Sequence, residues 1–302
     1  MAGNTAPTTE ARAMRGIILM VLAMVLVPGM DGIAKYLSAN FSVLQISWAR
    51  YASMTLFLLP FALWKFRSGA FFPGQIRWQI LRSLFLLGST YLFFSAIALI
   101  PITDGLALVF IYPLIVTLFS AIFLKEIIGI RRWLAVIAGF FGILVVLRPG
   151  FDTIGPGAFY ALASGVCHGS YIITTRHLSG HSTALHTLFF TGVIGSILLT
   201  LAVPLAWTAP DTSALFWMCM IGLLAASGHF LIIKSCDYAP ASVIAPLGYI
   251  EIISATLIGY VFFDDFPDFW TWIGMTIIMA SGIYISLRES LRKAVPLPAV
   301  AQ

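Results

Sequence analysis

Ala96-Ile97-Ala98-Leu99-Ile100-Pro101-Ile102-Thr103 closes one long apolar run and opens the next, and its pattern returns 139 residues later as Asp237-Tyr238-Ala239-Pro240-Ala241-Ser242. Pro101 aligns with Pro240 and Thr103 with Ser242. The same spacing relates Thr117 to Thr256, Glu126 to Asp265, Trp133 to Trp272, Trp78 to Trp217 and Gly16 to Gly155. Each half carries about five long apolar segments. A repeat with an odd number of membrane spans must insert its second copy upside down, and inverted repeats let one binding site face either side of a bilayer in turn. The register therefore implies a transporter.

Composition places the chain in a membrane, because 60% of its 302 residues are hydrophobic and only 10% are charged, against about a quarter charged in soluble domains. Spans are predicted over 16–38, 43–64, 77–99, 102–124, 131–147, 155–177, 183–207, 213–236, 240–263 and 269–288. Backbone amides in hydrocarbon must be satisfied within the segment, and no alternating strand pattern occurs, so these are helices. The fold class is an all-α membrane protein of ten transmembrane helices in two inverted five-helix repeats. The repeats cover 16–149 and 155–288, between short tails at 1–15 and 289–302. The tails are rich in Ala, Thr and Pro without apolar periodicity, which predicts disorder over Met1 to Ala13 and Ala294 to Gln302. The first apolar segment is too long for a signal-peptide core and is read as a span.

The net charge of +5 comes from Lys and Arg scattered at segment ends, with no run or stripe, which speaks against nucleic acid. One set of ends and loops holds Arg12, Arg15, Lys65, Arg67, Arg77, Lys125, Arg131, Arg132, Arg176, Lys234, Arg288, Arg292 and Lys293. The opposite set holds only Lys35 and Arg148, beside Asp152, Asp211, Asp264, Asp265 and Asp268. The positive-inside rule then puts both termini in the cytoplasm, with the body in the inner (plasma) membrane. The three cysteines, Cys167, Cys219 and Cys236, lack metal-like spacing and read as small apolar residues.

Around the opening stretch, Leu124-Lys125-Glu126 and Trp133 lead into a helix with Gly139 and Gly142; the second half echoes them through Glu251, Asp265, Trp272 and Gly282. With Met30-Asp31-Gly32-Ile33-Ala34-Lys35-Tyr36-Leu37 and then Gln45, Trp48, Ala49, Arg50 and Tyr51, the chain resembles the EamA-type repeat of the drug/metabolite transporter superfamily over about residues 15 to 290. The opening motif looks like a branch that handles amino acids and other metabolites. The resemblance implies two inverted five-helix repeats around a central cavity lined by the first, third, fourth, sixth, eighth and ninth spans, and secondary transport, often export. The chain departs from the family where an acid often ends the ninth span: an Asp264-Asp265 pair stands there.

Ionisable groups at the bilayer centre cost about 2.5 to 3.5 kcal/mol each on insertion scales, so those that persist are candidates for function. Glu251 lies near the middle of the ninth span at about the depth of His168 in the sixth. Facing one cavity, the carboxylate would bind a substrate ammonium or a proton, with the imidazole as partner; a carboxyl bonded to a neighbouring hydroxyl is the structural alternative. Asp31 and Arg50 lie at similar depth, and Lys35 is one turn from Asp31, so an ion pair or gate among these three is predicted. Freed from it, Arg50 would clamp a substrate carboxylate with two parallel N–H bonds. Pro28-Gly29 in the first span, Pro113 in the fourth and Pro246 in the ninth are predicted interruptions or hinges. Gly165 and Gly169 give the sixth span a small-residue packing face. Tyr91, Tyr112, Tyr171 and Tyr249 are the deeper aromatics, suited to a flat apolar substrate.

No metalloprotease, P-loop or dinucleotide motif occurs, and His177 with His181 is a lone loop pair, so no enzyme activity, cofactor or metal is implied. An intramembrane enzyme would need two convergent groups, and Glu251 with His168 is the pair that comes near. A receptor or scaffold is the remaining class, and it predicts no solute flux. The sequence reading is a monomeric secondary carrier of a small organic metabolite working by alternating access, with protons as a coupling ion. Export of an amino acid, aromatic by preference, is its first choice. Uptake of a vitamin- or nucleotide-like metabolite such as riboflavin or S-adenosylmethionine is the alternative.

Overall fold

A computed structural model describes residues 9–123, 129–147, 155–178, 182–238 and 245–294. The described residues are helical with short connections: α1 Thr9–Leu37, α2 Val43–Phe66, α3 Ile76–Ile97, α4 Ile102–Val109, α5 Tyr112–Phe123, α6 Ile130–Leu147, α7 Pro156–His177, α8 Ala184–Ala202, α9 Thr212–Tyr238, α10 Ile250–Phe263 and α11 Phe269–Ala294. Short 3₁₀ turns follow α2 (Arg67–Phe71) and α8 (Val203–Ala206) and precede α10 (Ala245–Tyr249). Among the described residues six stretches are long and apolar enough to cross a membrane: Met14–Leu37, Val43–Phe66, Ile76–Ile97, Ile102–Phe119, Ala184–Ala206 and Thr212–Ser235. Three more are apolar but shorter, Trp133–Leu147, Leu247–Phe263 and Phe269–Tyr284. Long but more polar is α7, which carries Ser164, His168, Ser170, Thr174 and Thr175.

Local chemistry sets the ends. Ser42 caps α2 by accepting from the Gln45 amide at 3.2 Å, while Asp211 and Asp268 cap α9 and α11 by accepting from the amides of Ala214 (2.7 Å) and Thr271 (2.8 Å). Gln45 also clamps the chain after α8, donating to the Thr208 carbonyl at 2.7 Å and accepting from the Thr208 amide at 2.9 Å. Against the expectation of a disordered amino-terminal tail, α1 already begins at Thr9, and α11 runs on to Ala294. Nothing there breaks a helix: Glu10, Ala11, Arg12 and Ala13 are all tolerated in its first turns.

The 139-residue register reappears in the packing. Helices α6 and α11 begin at register positions, Ile130 and Phe269, and pack against each other. A Cβ on Gly139 would lie 2.7 Å from Ser281 Oγ, and one on Gly142 would lie 2.9 Å from Ile278, whose own register mates are Gly142 and Gly139 respectively. Contacts of this reciprocal kind are what a twofold relation produces. Likewise α1 packs on α9, and their register mates α7 and α3 pack on each other. The rings of register mates Phe110 and Tyr249 stack at 5.2 Å and 24°. Gly165 and Gly169 form the close-packing face expected of them: a Cβ on either would lie 2.8 Å from the Val109 carbonyl oxygen or 3.2 Å from that of Tyr112. Thus α7 presses directly on the junction between α4 and α5.

The prolines divide. At Pro28 the predicted interruption is absent, for α1 runs unbroken through Pro28 and Gly29. Buried against its neighbours, the helix tolerates one missing amide. Gly29 lines a groove between α1, α9 and α10 that also holds Tyr36, Trp217 and Phe262, apart from the central cavity. The fourth span does break, at Phe110-Ile111, leaving Pro113 in the first turn of α5, where a missing N–H costs nothing. Pro246 falls within the 3₁₀ turn that precedes α10.

Candidate functional site

A cavity of about 90 Å³ lies between α1, α2, α3, α4, α7, α9 and α10. Its polar lining is Asp31, Arg50, Ser89, Thr90, Ser164, His168, His229 and Glu251, and Val27, Met30, Leu86, Phe93, Phe94, Leu106 and Val109 complete it. That volume holds several waters. It is smaller than the roughly 300 to 1,000 Å³ of pockets for drug-sized ligands, so a metabolite of that size requires the helices to part.

Each polar group is delivered by helical spacing. On α3, Leu86, Ser89, Thr90 and Phe93 recur at three- and four-residue intervals on one face. On α7, Ser164 and His168 are one turn apart, and Ser164 is held by donating to the Ser89 carbonyl at 2.8 Å. The break before α10 places Glu251 in its first turn, within the cavity wall. Asp31 is 2% exposed, and its Oδ1 has no hydrogen-bond partner among the described residues.

Arg50 does not pair with Asp31. Its guanidinium donates from Nη1 to Thr90 Oγ1 at 2.7 Å and from Nε to the Met30 sulfur at 3.1 Å, while Nη2 lies 3.1 Å from His229 Nε2. No carboxylate stands within 4.0 Å of it among the described residues. Equal depth in two helices fixes height but not azimuth, and the azimuth turns Arg50 toward α3 and α9. Nor does Lys35 pair with Asp31: Lys35 Nζ meets Asp265 Oδ2 at 2.8 Å and donates to the Ile100 carbonyl at 2.9 Å. Asp31 points into the cavity, while one turn on, Lys35 reaches the chain beyond α10. The bridge ties the first half to the second at the end opposite the basic loops.

Among the tyrosines, Tyr112 packs edge-on against the His168 ring at 4.9 Å and so stands just behind the cavity lining, while Tyr249 stacks on Phe110, which does not line the cavity. Tyr91 is a correction: it is 39% exposed and faces away, and its neighbour Thr90 takes the lining position. Tyr171 is another. Its hydroxyl accepts from Arg82 Nη2 at 2.8 Å and its ring lies under that guanidinium at 4.5 Å, so it reaches the cavity only through its ring contact with His168 at 5.5 Å. His177 packs on the Trp78 ring at 4.3 Å, and His181 lies outside the described residues, as do Glu126 and Pro240.

Sequence reasoning missed His229, Thr90 and Arg82. His229 lies mid-span in α9 and was findable by the rule applied to His168. Arg82 is six residues into α3 but only 2% exposed, so its depth resembles that of a snorkelling residue while its direction is inward.

An all-helical bundle with several membrane-crossing helices and a buried polar cavity at its centre defines a multi-pass membrane protein built to handle a solute within the bilayer. The chain belongs to the EamA-like transporter family, whose model matches it twice, over 14–148 and 155–287, and with it to the drug/metabolite transporter superfamily. Relatives include an S-adenosylmethionine uptake transporter of Rickettsia bellii, 24% identical over 91% of this chain and 94% of its own length. A riboflavin transporter of Vibrio cholerae is 26% identical over 92% of this chain and 94% of its own. The pseudopaline exporter of Pseudomonas aeruginosa is 26% identical over 90% and 95%. One solved structure matches with a TM-score of 0.64 at 17% identity, covering 95% of this chain and 99% of the other, which speaks to the fold alone. The protein is a small-molecule transporter. These names side with the vitamin- or nucleotide-like alternative, and amino-acid export finds no support in them.

Proposed function

We propose that this protein is a secondary carrier that takes up a vitamin- or nucleotide-like metabolite, using ten spans arranged as two inverted five-helix repeats, 16–149 and 155–288. The observation that carries the reading is the cavity itself, a buried polar site to which both halves contribute ionisable groups: Asp31 and Arg50 from the first, His168, His229 and Glu251 from the second. The reciprocal contacts around Gly139, Gly142, Ser281 and Ile278 support the inverted arrangement.

In this reading Glu251 and Asp31 exchange a proton or hold a cationic or hydrogen-donating part of the substrate. His168 and His229 are their partners within the cavity, and Arg50 offers its remaining N–H groups to an acceptor on the substrate. The aromatic groups Phe93 and Phe94 supply flat apolar surface for a ring system, with Tyr112 backing the His168 ring. Lys35 and Asp265 close the outer end, and parting of the halves there admits the solute. The protein works as a monomer in the inner membrane with both termini in the cytoplasm.

Counterflow in proteoliposomes tests this reading, with labelled riboflavin, S-adenosylmethionine and aromatic amino acids at two pH values across the membrane. Exchange of a flavin or nucleoside-like solute, faster under an inward proton gradient, is the expected result. Exchange of the amino acids alone would overturn the substrate assignment, and no exchange of any solute would remove the carrier reading itself.

A further inference from the structure

A second buried guanidinium lies on the same face of α3, one turn from the cavity wall. Arg82 is 2% exposed and is followed at four, seven, eight and eleven residues by Leu86, Ser89, Thr90 and Phe93, which line the cavity. Its three bonded nitrogens all donate to hydroxyls: Nε to Thr175 at 2.8 Å, Nη1 to Thr191 at 2.8 Å and Nη2 to Tyr171 at 2.8 Å. No carboxylate lies within 4.0 Å among the described residues, so dipoles stabilise this charge and no counter-charge neutralises it. A buried cation without a counter-ion is costly, and the site is improved by any anion that reaches it. A guanidinium has five N–H groups. Among the described residues three are used, which leaves one N–H on each terminal nitrogen for an anionic acceptor such as a carboxylate or phosphate.

Three neutral partners likewise hold Arg50, so two matched guanidinium sites stand along one face of α3. Thr90, the partner of Arg50, is eight residues from Arg82, about 12 Å at the helical rise of 1.5 Å per residue. The aromatic pair Tyr171 and His168 connects the two, with ring centres 5.5 Å apart. The partners of Arg82 come from α7 and α8, so parting of α3 from either helix exposes its unused N–H groups.

We propose that Arg82, with Tyr171, Thr175 and Thr191, forms an anion-binding station between the central cavity and the side of the basic loops. It receives a carboxylate or phosphate borne by the solute as that solute enters or leaves the Arg50 site. The station's role in transport rests on the carrier reading, but its anion binding does not.

The test is thermal unfolding of the full-length protein in nanodiscs, with inorganic phosphate or acetate replacing chloride at fixed ionic strength. Phosphate or acetate is expected to raise the melting temperature of the wild type, and the larger response identifies the preferred group. The response should vanish in Arg82→Gln and persist in part in Arg50→Gln. Absence of a response in the wild type, or an equal response in Arg82→Gln, overturns the proposal. Should Arg82→Gln fail to fold, Arg82→Lys keeps the charge without the fork, and a full response in it overturns the proposal equally. For whichever metabolite exchanges in counterflow, Arg82→Gln is expected to raise KM about tenfold if the metabolite is an anion, as loss of a charged hydrogen bond implies, and to spare a neutral analogue. Equal loss for both would reduce Arg82 to a structural clamp. Failure of every metabolite to exchange would sink the carrier reading while leaving the phosphate response to be judged alone.

Discussion

In the fourth span of each half an α-helix starts at nearly the same register, Tyr112 and Ile250, yet with different chemistry. In the first half α4 ends at Val109 and α5 restarts at Tyr112, with Pro113 in its first turn; in the second, a 3₁₀ turn holding Pro246 precedes α10, whose first turn carries Glu251. The positions that match Pro113 and Pro246 across the register are Ile252 and Ala107, neither a proline. The shared helix start is therefore a property of the packing, in which α7 presses its glycines on one junction and Phe110 stacks on Tyr249 at the other. What differs is the group exposed there, a phenol in one half and a carboxylate in the other. The scaffold follows the repeat, and the polar groups of the cavity do not.

That contrast can be broken by experiment. Glu251→Gln is expected to remove proton-driven flux altogether while leaving expression and melting behaviour near wild type, whereas Tyr112→Phe at the matching position should cost no more than a few-fold, the scale of one neutral hydrogen bond. Flux by Glu251→Gln with wild-type pH dependence would show that the two helix starts are chemically equivalent. A second test concerns Arg50. Because it bonds to Thr90 and contacts His229 rather than Asp31, Arg50→Gln and His229→Gln should be strongly non-additive, by about 1 to 3 kcal/mol in a binding cycle. Asp31→Asn with Arg50→Gln should come closer to additive, and a larger coupling for that pair would restore the ion pair that the sequence predicted. The smallest effect is expected at the outer end, where the Lys35–Asp265 bridge is part-exposed. A double-mutant cycle with Lys35→Met and Asp265→Asn should give a coupling of about 1 kcal/mol in stability. No coupling would mean that the bridge does not hold the halves together.

Most of the fold was legible because apolar length and register are properties of the chain. The predicted spans 43–64 and 102–124 correspond to α2 at 43–66 and to α4 with α5 at 102–123, and the helix restarts fall within a few residues of the expected prolines. The site was legible only by type. Glu251, His168, Asp31 and Arg50 were recognisable as costly charges at mid-depth, and all four line the cavity. Their partners were not recognisable. Lys35 is one turn from Asp31 in sequence but bonds to Asp265 from the other half. Arg82 lies six residues into α3, where position along the chain does not show that its side chain turns inward, and Tyr91 and Thr90 differ by one position that rotates a side chain by about 100° around a helix of 3.6 residues per turn.

By itself, the sequence determined that this chain lives in a membrane, that it is a duplication, and which few residues are too costly to be there without cause, since each of these follows from transfer energies and spacing along one strand of text. Which charges meet, which tyrosines approach the cavity and which arginines are left without a carboxylate partner were decided by the tertiary structure alone. Helix depth is written in one dimension, but azimuth is set by how glycine faces such as Gly142 and Gly165 let neighbouring helices approach.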